Sequence, residues 1–110
     1  NIRKQSEMLL QKGVQCAIIT LGENGAFYNN GSESEIIPAF QTTAVDTTAA
    51  GDAFVAGLCY GLTKQVSLKK CILLGSVAGA ITVTRLGAQS SLPSEEEIMF
   101  FLKQAGICLN

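Results

Sequence analysis

The run Asp46-Thr47-Thr48-Ala49-Ala50-Gly51-Asp52-Ala53-Phe54 constrains this chain more than any other stretch, because nearly every side chain in it is small. Small residues let a backbone or a ligand come close, and Gly51 permits a tight path into the next element. The spacing of the apolar residues after Gly51 is helical. Phe54, Leu58 and Leu62 recur every four residues and predict the buried face of a helix from about Gly51 to Lys64. Gly57 and Gly61 repeat at the same interval, which predicts close approach of a neighbouring helix or strand. A helix that begins on such a run points unpaired N–H groups at an open mouth, where its dipole favours phosphate or another anion. Asp52 in the first turn is out of place beside an anion unless it takes a proton from a hydroxyl that attacks it. Phosphoryl transfer to an alcohol needs that pair of parts. Asp46 or Asp52 would serve equally as a plain helix cap, and the residues alone leave the two readings level.

The rest of the chain reads as an α/β fold. Residues from Ile2 to Lys12 favour a helix with Ile2, Met8 and Leu9 on one side and Gly13 as its stop. Cys16-Ala17-Ile18-Ile19 does not alternate with polar residues, so it predicts a central strand buried on both faces. Gly22-Glu23-Asn24-Gly25 turns the chain into Ala26-Phe27-Tyr28, and Asn30-Gly31 marks a second reversal before Glu35-Ile36-Ile37. Those two segments predict an antiparallel edge hairpin. After the small-residue helix, Leu68 to Val83 is apolar nearly all round and is expected under the fold. Ser94-x-x-Glu97 predicts a capping box, with Ile98, Phe101, Leu102 and Ala105 as the buried stripe of a last helix. Phe27, Tyr28 and the Phe100-Phe101 pair read as core or packing surface, and Lys69 and Lys70 as a solvated helix start.

Composition narrows the function classes. With 110 residues the chain is one domain at most, and 47% hydrophobic against 15% charged residues argues for a packed core and against disorder. A net charge of −1 leaves no electrostatic footprint for nucleic acid or an anionic membrane. The stretch from Cys71 to Val83 is interrupted by Gly75, Ser76, Gly79 and Thr82 and is too short to span a bilayer. Cys16, Cys59, Cys71 and Cys108 sit in apolar runs, form no Cys-x-x-Cys pair and have no histidine beside them. They read as reduced core residues of a cytoplasmic protein, with a disulfide left open as the other reading.

The string from Asp46 through Leu58 closely resembles the second signature of the ribokinase, or PfkB, family of carbohydrate kinases. Ile18-Ile19-Thr20-Leu21-Gly22-Glu23-Asn24-Gly25 upstream and Ala80-Ile81-Thr82-Val83-Thr84-Arg85-Leu86-Gly87-Ala88-Gln89-Ser90-Ser91-Leu92-Pro93 downstream fit the family in the right order, nearest to its ribokinase branch. The resemblance implies a three-layer α/β/α fold of which residues 1–110 are the C-terminal, nucleotide-binding and catalytic part. The sugar-recognising N-terminal part and lid are expected to lie outside this chain.

That resemblance also implies roles, residue by residue. Asp52 is the catalytic base, and Ala50 and Gly51 supply amides to an anion hole. Ala49 stands where many family members have glycine, which narrows the backbone angles there. Thr20, Gly22 and Gly25 contact ATP, a reading that the turn alone does not favour over a plain hairpin. Ser76 faces the adenine, although a serine in an apolar helix is more often a small packing residue. Asp46, Thr48, Thr82, Arg85, Gly87 and Ser91 surround a potassium ion, mostly through carbonyl oxygens. From the residues alone, Arg85 reads as a charge at the negative end of a helix. Oxygen donors suit a hard cation, and Mg2+ would arrive with the nucleotide phosphates. The implied reaction is ATP-dependent phosphorylation of a sugar hydroxyl, ribose first. The alternatives are an inactive nucleotide-binding fragment or pseudo-kinase, or a kinase for another sugar, a nucleoside or a vitamin alcohol. A homodimer of the full-length protein is a further expectation from the family.

Overall fold

The computed structural model describes residues 1–40, 50–84 and 93–107, which divide between two units, 1–39 and 40–110. In the first unit, helix α1 (Ile2–Gln11) starts at Asn1, whose Oδ1 accepts the backbone N–H groups of Arg3 and Lys4 at 2.9 and 3.3 Å. It ends where the sequence places its stop, with Gly13 at φ +104°. The expected apolar side is not the buried one. Met8 and Leu9 are exposed and Ser6 is buried, because α1 meets the sheet through a polar pair. The Ser6 hydroxyl donates to the Arg3 carbonyl at 2.7 Å and accepts from the Asn29 side-chain amide at 3.0 Å. Asn29 in turn accepts the Gly31 N–H at 3.0 Å, which ties the second reversal to the helix.

Strands β1 (Ala17–Thr20), β2 (Ala26–Asn29) and β3 (Ser34–Ile37) form an antiparallel sheet in the order β1-β2-β3. Ile19 pairs with Phe27 and Phe27 with Ile36, so the three share one face. The hairpin expectation holds at both turns. The expectation of a central strand buried on both faces does not. Among the described residues β1 pairs with β2 alone, and without a neighbour on its outer side Ile18 and Ile19 stay half-buried.

Helices α2 (Ala50–Thr63), α3 (Leu68–Val83) and α4 (Glu95–Gln104) make the second unit. Helix α2 stops without a glycine. Gln65 takes φ +58°, the Val66 N–H reaches back to the Gly61 carbonyl and the Gln65 N–H to Leu62, the paired closure of a Schellman turn. Helix α4 closes the same way through Gly106 and Ile107 and opens on the expected capping box: Glu97 N–H to Ser94 Oγ at 3.2 Å, and Ser94 N–H to a Glu97 carboxylate oxygen at 3.0 Å.

Ala53, Leu74, Val77, Ala78, Ile98 and Leu102 form the core of this unit, with Phe40, Tyr60, Val66 and Phe101 packed around it. The Phe40 and Phe101 rings meet edge to face at 5.3 Å. Three expectations fail here. Leu62 is exposed and Leu58 only half-buried, because α2 buries Ala53, Phe54, Gly57 and Gly61 instead. Phe100 is 66% exposed, two residues from both Ile98 and Leu102 and so on the opposite face of α4, and Ala105 lies past the last turn and is exposed. Cys59 is exposed, whereas Cys71 is buried and Cys16 half-buried; all three are free thiols. Burial pushes the Cys16 and Cys71 thiols up, partly offset in each by a backbone hydrogen bond. Cys108 lies outside the described residues.

Candidate active site

The glycines of α2 and α3 set the frame of the site. A Cβ on Gly61 would lie 2.9 Å from the Cys71 Cα, one on Gly57 would overlap the Leu74 carbonyl oxygen, and one on Gly75 would lie 2.8 Å from the Phe54 carbonyl oxygen. At the far end, a Cβ on Gly79 would lie 3.6 Å from the Ala50 carbonyl oxygen. The two helices therefore run antiparallel with their backbones almost touching, as the Gly57–Gly61 interval predicts. Gly75 completes that contact and escaped the sequence reading, although Gly75 and Gly79 carry the same four-residue interval.

Antiparallel packing puts the N-terminus of α2 and the C-terminus of α3 at one end. Ala50, Gly51 and Asp52 occupy the first turn of α2, Gly51 and Asp52 exposed, and among the described residues nothing approaches within 4 Å of a Cβ placed on Gly51. Thr82 is buried three residues beyond Gly79. The positive pole of one helix and the negative pole of the other thus lie side by side. Ser76 lies on α3 half-buried, six residues before Thr82, about 9 Å back along the axis. Asp46, Thr48, Arg85, Gly87 and Ser91 lie outside the described residues, and so does Ala49.

Thr20, Gly22 and Gly25 belong to the other unit, on the turn between β1 and β2. Thr20 is exposed at the end of β1, and Gly22–Asn24 form a single 3-10 turn closed by the Leu21 N–H donating to the Gly25 carbonyl at 2.8 Å. Gly22 takes φ +60° in open space. Gly25, at φ +97°, is buried.

Two cavities border described residues of the helical unit. The larger, about 440 Å³, is bordered by Ile81, Ser94, Glu96, Glu97, Phe100 and Phe101. The smaller, about 140 Å³, lies beside Tyr60 and Glu95. Burial, a hydrogen bond to Glu95 and the charge of that carboxylate together raise the Tyr60 phenol above its ordinary value. Neither cavity includes Asp52. Among the described residues no group of three or more His, Cys, Asp and Glu side chains gathers as a metal cluster would, and no helix is long and apolar enough to cross a membrane.

An α/β chain with a carboxylate in the open first turn of a helix fits the enzymes that move phosphoryl groups. The profile of the pfkB family carbohydrate kinases matches residues 1–95, and the chain belongs to that family. It is 41% identical over 102 residues to the ribokinase of Haemophilus influenzae, covering 93% of this chain and 33% of that protein. Among solved structures, ribokinase from Thermotoga maritima superposes with a TM-score of 0.90 at 42% identity, over 94% of this chain and 35% of the other. A fructokinase from Vibrio cholerae, solved with fructose, ADP and potassium, superposes with a TM-score of 0.83 at 27% identity, over 93% of this chain and 35% of the other. The fold is thus a portion of the ribokinase-like α/β fold, and the chain spans about a third of the length of these relatives.

Proposed function

We propose that this chain is the nucleotide-binding and catalytic-base portion of a cytoplasmic sugar kinase that phosphorylates ribose with ATP. The observation that carries the reading is the pairing of helix poles at one end of the α2–α3 hairpin, with Asp52 in the open first turn. An anion at the N-terminus of α2 is favoured by its dipole, and a monovalent cation beside it is favoured by the C-terminal carbonyls of α3. Thr82 stands at that end. Asp46, Thr48, Arg85, Gly87 and Ser91 would complete the oxygen ligands for K+, which supplies a fixed positive charge that shapes the loop. The turn carrying Thr20, Gly22 and Gly25, with Ser76, would receive the nucleotide, whose phosphates bring Mg2+.

Asp52 accepts the proton of the sugar hydroxyl as that oxygen forms its bond to the γ-phosphorus. The bond from phosphorus to the bridging oxygen breaks, and ADP leaves with the electron pair. The amides of Ala50 and Gly51 stabilise charge on the transferring group. Ribose is favoured by the ribokinase relatives, and another sugar remains the alternative, as one structural neighbour is a fructokinase solved with fructose. A second reading is favoured by length: at a third of its relatives, the 110-residue chain by itself binds nucleotide without turning over sugar. Acceptor recognition, and a homodimer, would then belong to the longer protein.

Calorimetric titration of the 110-residue chain with ADP and Mg2+, once in potassium and once in sodium buffer, tests this. Saturable binding that tightens in potassium is the expected result. Binding indifferent to the cation would remove the K+ site from the reading, and absence of binding would remove the claim that this portion holds nucleotide alone.

A further inference from the structure

Gly22 and Gly25 border the same turn but meet different surroundings. Among the described residues nothing lies within 4 Å of a Cβ placed on Gly22. The corresponding face of Gly25 is filled by backbone: a Cβ there would overlap the Ile37 carbonyl oxygen and lie 2.9 Å from the Pro38 Cα and 3.0 Å from the Ala39 N. Its φ of +97° with ψ of −143° falls in a region that glycine alone occupies at low cost. The Gly25 carbonyl holds the Leu21 N–H at 2.8 Å, and the next residue, Ala26, pairs with Ile37. The turn is therefore seated on the exit of β3 through Gly25.

We infer that Gly25 is a positioning residue: it seats the Thr20–Asn24 turn against Ile37–Ala39, and ligand contact falls on Thr20 and Gly22 instead. The second half rests on the nucleotide reading above; the first does not. Because the neighbours of Gly25 are main-chain atoms, no side chain can swing aside to admit a methyl group. Any change at the β3 exit is transmitted to the turn.

Amide hydrogen exchange by NMR on the full 110-residue chain tests the seating, and ADP titration tests the contact. Gly25→Ala should speed Leu21 and Ala26 exchange about tenfold or more while the α2 and α3 amides keep their protection. Should that variant fail to fold, Pro38→Gly carries the test, since it loosens the exit without changing a residue of the turn. It should also speed Leu21 exchange, and it should weaken ADP although Pro38 lies outside the turn. Gly22→Ala should leave the Ala26–Ile37 pairing as protected as in the parent. Unchanged Leu21 exchange in Pro38→Gly overturns the seating. Nuclear Overhauser contacts from bound ADP to the Gly25 Hα overturn the division of roles. If ADP does not bind at all, the nucleotide reading fails, and the exchange rates still decide the seating.

Discussion

Gly57→Ala should destabilise the helical unit while Gly79→Ala, the same change on the facing helix, should stabilise it. At Gly57 the new methyl would overlap the Leu74 carbonyl oxygen and lie 2.8 Å from the Leu74 carbonyl carbon and 2.9 Å from the Gly75 Cα. Ordinary contact begins near 3.4 Å, so clearing the carbonyl oxygen would part the helices by about 1 Å, enough to forfeit about half of the dispersion energy along the contact. All the obstructing atoms are backbone, which places the strain at the upper end of the usual overpacking range, about 3 kcal/mol. Better helix propensity returns about 1 kcal/mol, leaving a net loss of about 2 kcal/mol. At Gly79 the methyl would lie 3.6 Å from the Ala50 carbonyl oxygen, which is ordinary contact. Only the propensity gain of about 1 kcal/mol remains there. For a chain of this size the two variants should melt about 12 °C apart, followed by circular dichroism at 222 nm, where the helices dominate. Equal melting temperatures, or a more stable Gly57→Ala, would refute the claim that backbone contact sets the spacing of α2 and α3.

Asp52→Asn in the complete kinase should lower turnover by about 10²- to 10⁴-fold with nucleotide affinity nearly intact, because the amide keeps the shape but accepts no proton. Turnover within a few-fold of the parent would remove Asp52 as the base. The raised Tyr60 phenol predicts an alkaline effect: below pH 10.0 both states hold the proton, and above it the unfolded chain releases it first. Folding stability therefore declines from pH 10.0 upward until the folded phenol also ionises, and Tyr60→Phe should decline less steeply in urea titrations over that range. Identical slopes would show that burial and the Glu95 contact together do not raise the phenol.

Local signals in the sequence were legible wherever the physics is local. The Gly13 stop, the Ser94–Glu97 capping box and the turns at Gly22–Gly25 and Asn30–Gly31 each depend on a few adjacent backbone groups, and all four appear where expected. The bounds of α3, Leu68–Val83, coincide with the apolar run that predicts it. Periodicity misled in α1 and α2. It ranks residues by hydrophobicity, whereas the contacts there are made by Ser6 with Asn29 and by glycines too small to register as a stripe.

The sequence by itself determined the family and the chemistry on offer, since a carboxylate beside a glycine at a helix start is written in consecutive residues. Tertiary structure decided which helix end lies beside the start of α2. Asp52 and Thr82 are thirty residues apart, and only the antiparallel closure of α2 on α3 brings their helix ends together. It likewise gave Gly22 and Gly25, identical in the sequence, different surroundings: among the described residues nothing lies within 4 Å of a Cβ placed on the first, while the second faces the exit of β3. The Gly57–Gly61 interval records that a neighbour comes close, but which segment arrives depends on the rest of the chain.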